Sequence, residues 1–302
     1  MKKNKSFILV LAVIAGAFWG SVGPFVRYMS ARGISSLTIL ASRVLVAALI
    51  LGIGMLIVNR SWLKIKCKDL WIFVVASLVG MLGLNTCYNE AINYVPLSLA
   101  AILLGLYPIF VMILAAIIFK EKITRRKIFC MGLALVGCVL ASGLLESGQT
   151  SFSAIGVAIG FASAIFYAFY SIMSKVAMQR GYNVFTVTFY ALLIMGIALI
   201  PFTDWPALGG FVAAAPAKHI GFMVAHSACA SVLPYILFTL SLRYADAGKT
   251  SILAAGMEPI SALILGFIFY QEVPSLLALA GMAITIVALA LVGMAEKSKQ
   301  PD

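Results

Sequence analysis

Few side chains in this 302-residue sequence are placed to do chemistry, and the first is Glu258, followed by Pro259, inside the apolar run ILAAGMEPISALILGFIFY. An ionised carboxylate in hydrocarbon is costly unless paired or neutralised, so Glu258 must face a polar interior. Pro259 removes a backbone donor at the same place and frees a carbonyl for water, a side chain or a substrate. Two roles fit the pair: a site for a proton or a substrate ammonium group, or a hydrogen-bonding anchor for an interrupted helix.

A second polar group is the cluster Asn85-Thr86-Cys87-Tyr88-Asn89-Glu90. On a helix, Asn85 and Asn89 share one stripe and Thr86 and Glu90 the next, so both stripes can point into a bundle. Such amides and carboxylates either contact a zwitterionic solute or join helices. Trp19 and Tyr167 each lie mid-run, away from the membrane interface, and with Tyr107, Tyr170 and Tyr235 they supply faces for an apolar or cationic group, or a packed core. His226 titrates near physiological pH and reads as a proton site beside Glu258 or as an ordinary hydrogen-bonding residue. Arg43 reads as structural, snorkelling to the interface or paired with a carboxylate. The pairs Gly16/Gly20 and Gly156/Gly160 allow close helix approach and suit a sliding surface, a homodimer face or static packing.

Other chemistry is not encoded. HExxH, paired aspartates, a Ser-His arrangement and a P-loop are all missing, so neither an enzyme nor an ATP-driven pump is expected. The five cysteines form no CxxC pair, and no metal or cofactor is expected.

The elements that must position these residues are membrane helices. With 63% apolar and 11% charged residues and a mean hydropathy of +1.08, the chain cannot make a soluble surface. Ten apolar windows fall near 7–29, 35–58, 69–92, 98–119, 127–145, 152–178, 184–203, 219–241, 249–270 and 275–294, each near the roughly 20 residues a bilayer requires. Residues 211–216 either dip into the interface or form plain loop. The amino terminus resembles a signal peptide, but its apolar run is too long for a signal core and is expected to stay. The net charge of +12 is distributed by side: 18 Lys and Arg lie at the termini and in the even-numbered gaps, against Arg27, Arg32 and Lys218 opposite. The positive-inside rule therefore puts both termini in the cytoplasm, and anionic lipid, not nucleic acid, is the expected partner of the basic loops.

The sequence also repeats itself. Residues 97–124 return as 247–275, with Tyr107-Pro108 opposite Glu258-Pro259 and Glu121 opposite Glu272. More weakly, Phe18-Trp19 matches Phe166-Tyr167 and Arg32-Gly33 matches Arg180-Gly181. Five helices per copy is odd, so the copies, 7–145 and 152–294 of one membrane domain spanning 1–302, must be inverted. Inverted repeats place two half-sites around the midplane, a secondary-transporter signature.

The motifs AFWGSVGPFVRY, ASRVLVAALIL and EAINYVPLSLAAILLGLYPIFVMILAAIIFKEKIT, with LFTLSLRYADAGKTSILAAGMEPISALILGFIFYQEVP and LLALAGMAITIVALALV in the second copy, resemble the drug/metabolite transporter superfamily, of the ten-helix kind built from two EamA-type repeats. The resemblance covers nearly the whole chain. It implies an all-α polytopic fold in the cytoplasmic membrane with a cavity lined by helices 1, 3, 4, 6, 8 and 9, and helices 5 and 10 more peripheral. It also implies export of a small metabolite, with amino acids the first expectation. The alternatives are cationic drugs, a lipid-carrier flippase or a non-transporting bundle. Tyr107 stands where the second copy has Glu258, so any acidic function is one-sided.

Overall fold

A computed structural model describes residues 5–91, 93–95, 97–141, 144–146, 153–271 and 273–294, and among them there is no strand. Glu272 of the repeat, and Lys2, Lys3, Lys297 and Lys299 among the 18 cations counted at the termini and even-numbered gaps, lie outside the described residues. Fifteen α-helices follow in order: α1 Lys5–Gly20, α2 Val22–Ser30, α3 Ser36–Val58, α4 Leu70–Val74, α5 Gly83–Ala91, α6 Leu97–Leu104, α7 Tyr107–Phe119, α8 Arg125–Ala141, α9 Ala154–Gln179, α10 Val184–Leu199, α11 Trp205–Ala214, α12 Pro216–Ser227, α13 Leu233–Tyr244, α14 Ala247–Tyr270 and α15 Leu276–Met294. Two π-helical turns, Val75–Leu82 and Ala228–Val232, join α4 to α5 and α12 to α13.

Among the described residues, eight continuous segments are long and apolar enough to cross a bilayer, and the protein is a multi-pass membrane protein. They cover eight of the ten windows; the fifth and tenth become α8 and α15, which pack on each other. Residues 205–214, near the segment left open between interface and loop, form α11. Large apolar side chains such as Leu49, Ile57, Phe267 and Phe269 point outward, as a lipid-facing surface requires.

Local chemistry sets the helix ends. Side chains of Ser35, Ser153, Asn183, Asp204 and Asp246 accept hydrogen bonds from amides of the following first turn, at 3.0–3.3 Å. Pro108 sits in the first turn of α7, and the chain breaks at Gly105–Leu106 before it. Pro259 behaves differently: α14 runs through it without interruption. The reason is packing, since α1 lies so close to this stretch that a Cβ on Gly16 would come within 2.3 Å of the Ala254 carbonyl oxygen, and one on Gly20 within 2.5 Å of that of Glu258. The helix stays continuous against this neighbour while the Ala255 carbonyl loses its usual donor.

Several local features recur at the positions paired by the sequence repeat. Gly33 and Gly181 take left-handed conformations, with φ of 81° and 91°. Lys120 and Gln271 end α7 and α14 with φ of 55° each, the only non-glycine residues of positive φ among those described. The packing is matched too. Helix α1 lies against α13 and α14, while α9 lies against α5, α6 and α7; α3 pairs with α10.

The glycine pairs are used inside the chain. Gly16 and Gly20 pack on α14, Gly156 packs on Tyr94 and Val95, and Gly160 on Leu103. These faces are therefore occupied and do not form the homodimer surface that was one reading of them.

One end of the bundle carries the Lys- and Arg-rich segments, and three ion pairs form there among the described residues. Glu121 pairs with Lys175 at 2.5 Å, Lys127 with Asp246 at 2.6 Å, and Asp69 with Arg180. Tyr182 also donates to Asp69 at 2.8 Å. Each pair joins the first half of the chain to the second. Burial works to raise the carboxyl of Asp246, but the hydrogen bond and charge of Lys127 outweigh it and hold that group below the usual carboxylate range.

Candidate functional site

Midway along the bundle, aromatic rings from four helices meet. Trp19 of α1 contacts Tyr167 of α9 at 5.9 Å and Tyr235 and Phe238 of α13 at 5.3 and 5.2 Å, all edge-on. Tyr107 of α7 stands edge-on to Tyr167 at 4.0 Å, and Tyr170 edge-on to Tyr235 at 5.3 Å. The five aromatic residues singled out in the sequence are thus one cluster, each 9% exposed or less. Edge-to-face pairing is the geometry aromatic quadrupoles favour. Two hydroxyls are engaged: Tyr107 donates to the Ser251 carbonyl of α14 at 3.0 Å, and Tyr170 shares a hydrogen with Thr239 at 3.3 Å.

Glu258 borders this cluster from α14. It is partly buried and forms no ion pair among the described residues. Tyr88, Tyr107, Cys138, Tyr167 and Tyr235 all lie within its electrostatic range. A carboxylate set among buried tyrosines, with no ion-pair partner among the described residues, is suited to a proton or an organic ammonium group.

The remaining candidates are spread out. Asn85 is spent on its own helix, donating to the Met81 carbonyl at 2.7 Å inside the π-helical turn. Asn89 is partly buried on α5. Glu90 is exposed at the end of α5, accepts from Asn93 at 3.2 Å and does not reach the aromatic cluster. His226 is 1% exposed and stacks on Phe25 at 5.0 Å; its charged neighbour is Arg43, not Glu258. The structure thus does not join the two residues considered for proton handling.

Sequence reasoning did not single out Cys138 or Phe238, and it read Arg43 as structural. Cys138 sits on α8, in the fifth window, which the resemblance assigned to the periphery, and nothing in its apolar surroundings marks it. Arg43 neither snorkels nor pairs: it is 9% exposed, without a carboxylate partner among the described residues. Its position seven residues into α3, too deep for an easy reach to water, was the available signal.

The centre is closed in this structure. Two clefts measure about 230 and 220 Å³ including the open space at their mouths, the second of them at the basic end beside Arg126 and Lys127. The first is lined by Gly105, Pro108, Cys138, Ala255 and Gly256, where the broken α6–α7 strand of helix faces α14. The expected cavity is filled by the aromatic rings themselves.

A multi-pass helical bundle with an unpaired carboxylate and a tyrosine-lined centre belongs to the class of membrane transport proteins. The chain is a member of the EamA-like transporter family, whose profile matches twice, over residues 6–143 and 154–294; this places it in the drug/metabolite transporter superfamily. An uncharacterized transporter of Archaeoglobus fulgidus is 26% identical over 96% of this chain and 98% of its own. A probable terminal-alkyne amino-acid exporter of Streptantibioticus cattleyicolor is 26% identical over 97% and 94%. The pseudopaline exporter of Pseudomonas aeruginosa is 24% identical over 93% of each chain. One crystal structure has the same fold, with a TM-score of 0.79 at 15% identity over 97% of this chain and 99% of the other.

Proposed function

We propose that this protein is a secondary exporter of the cytoplasmic membrane that carries a small amino-acid-like metabolite outward by alternating access. Ten spans form two inverted repeats, 7–145 and 152–294, with both termini and the basic end in the cytoplasm. The twofold family match, the recurring left-handed residues and the matched packing of α1 and α9 support this arrangement. The names of two relatives, one an amino-acid exporter and one the exporter of pseudopaline, support the direction and the substrate class.

The observation that carries the reading is Glu258: a carboxylate at the bundle centre, unpaired, at the contact of helices from both halves. It binds the ammonium group or the coupling proton, and Trp19, Tyr107, Tyr167, Tyr170 and Tyr235 form the walls. The ion pairs at the basic end hold the cytoplasmic side shut, and solute entry requires their separation and a parting of the rings. Energy comes from solute or proton gradients.

The test is counterflow of labelled amino acids with purified protein in liposomes, with and without a pH gradient. Wild-type protein is expected to exchange at least one amino acid, and Glu258→Gln to abolish that exchange or its pH dependence. Unchanged flux and pH response in both Glu258→Gln and Glu258→Ala would remove Glu258 from the site. A second reading, export of cationic drug-like compounds, is favoured by the aromatic faces around the lone carboxylate, and predicts flux of organic cations that lack a carboxylate.

A further inference from the structure

Arg43 is the buried charge that the account above leaves unused. Its Nε has no hydrogen-bond partner, and no carboxylate is paired with it among the described residues. A guanidinium never sheds its proton at physiological pH, so its burial inside a membrane bundle must be compensated by an anion. The stretch of helix packed against α3, from α12 into the π-helical turn, holds three more buried atoms without partners: His226 Nε2, Ser227 Oγ and Ser231 Oγ. Each of these groups can donate a hydrogen bond, and none of them finds an acceptor.

Their location is as informative as their chemistry. Arg43 is within electrostatic range of both His226 and Tyr235, and Tyr235 is in turn within range of Glu258. At 1.5 Å per residue, Arg43 lies about 10 Å, and Glu258 about 18 Å, from the ends of their helices opposite the basic end. A fixed cation and a fixed anion thus stand at different depths, with Tyr235 near both.

The geometry points to a carboxylate-binding subsite formed by Arg43 with His226, Ser227 and Ser231, so that the substrate is a zwitterion whose carboxylate meets Arg43 while its ammonium group meets Glu258. A carboxylate takes two parallel bonds from a guanidinium and leaves lone pairs for hydroxyl and imidazole donors. The inference rests on the transport reading and narrows it: an amine without a carboxylate satisfies only the Glu258 side.

The experiment uses full-length purified protein in detergent. Thermal unfolding is first screened with the common amino acids; the strongest stabiliser is then compared with its decarboxylated amine and its deaminated acid. Wild type is expected to prefer the amino acid over the amine by about tenfold or more, the scale of a charge-assisted bidentate contact. Arg43→Gln is expected to bring that ratio near one, with Arg43→Lys in between. Glu258→Gln is expected to lower the preference for the amino acid over the deaminated acid instead. Should Arg43→Gln not fold, the double variant Ser227→Ala/Ser231→Ala keeps the charge and is expected to weaken amino-acid binding several-fold more than amine binding. If wild type prefers the amino acid and both the Arg43 and the serine variants keep that preference in full, the subsite is wrong while the transport reading stands. If wild type binds the amine as well as or better than any amino acid, the amino-acid reading falls and takes the subsite with it.

Discussion

Removing the negative charge of Glu121 tests whether the basic end is a gate. Its Oε1 receives Lys175 Nζ at 2.5 Å, and its two oxygens receive the Ala247 amide at 3.2 and 3.1 Å. The two side chains are 14% and 12% exposed, between a surface pair and a fully buried one. Glu121→Gln keeps the size and an acceptor for Ala247, but leaves the Lys175 ammonium with only the Ala245 carbonyl at 3.2 Å and the Phe119 ring at 5.2 Å. Exposed pairs are worth under about 1 kcal/mol and breaking a buried one costs about 3–5, so about 2–3 kcal/mol is expected here. That shifts the balance between joined and separated ends by about 30- to 150-fold. Ser174, fully buried next to Lys175, is a reporter position. With Ser174→Cys in a cysteine-free background, labelling by a membrane-impermeant thiol reagent in inside-out vesicles is expected to rise at least about tenfold in Glu121→Gln. The swap Glu121→Lys/Lys175→Glu is expected to restore much of the protection. Equal labelling with and without the pair, or a swap that protects no better than the single variant, would refute the gate.

Three further outcomes are expected. Gly20→Ala places a Cβ 1.8 Å from Ser261 Oγ and 2.5 Å from the Glu258 carbonyl oxygen; it should cost about 3 kcal/mol or more in stability, seen as a lower melting temperature, while Gly54→Ala, with open space around it, changes little. Asp246 has its folded-state value below its unfolded one, so its contribution is full above about pH 4 and lost as the pH falls further. Melting curves across that range should fall more steeply for wild type than for Asp246→Asn. Tyr107→Phe removes the hydrogen bond to the Ser251 carbonyl and is expected to cost about 1 kcal/mol, read by denaturation in detergent, with a larger loss of transport because the hydroxyl also lies within electrostatic range of Glu258.

What could be read from the sequence was whatever leaves a periodic or compositional trace. The helices follow from uninterrupted apolar runs, and Glu258 stood out because a carboxylate has no reason to be in hydrocarbon unless it works. The aromatic cluster was legible because Trp19 and Tyr167 occupy equivalent places, far from the interfacial belts. The break at Pro108 without one at Pro259 was not legible: it depends on Gly16 and Gly20 pressing on α14, a contact between residues about 240 positions apart. Glu90 misled because helical spacing says which residues share a stripe and not how far along the bilayer the stripe extends. Arg43 read only as structural and Cys138 drew no notice for opposite reasons, the first because long cations usually escape to the interface, the second because a thiol among apolar residues looks like any small core side chain.

The wide turn Ala228–Val232 settles a matter of angle. At about 100° per residue, the nine steps from His226 to Tyr235 would put the two side chains on opposite flanks of a regular helix. One surplus residue absorbed in the wide turn takes back about 100°, which brings both round toward the flank where Arg43 lies. Regularising the turn with its residue count kept would therefore swing His226 and Tyr235 to opposite flanks, whereas deleting one residue such as Ala230 would give a regular helix that still holds them together.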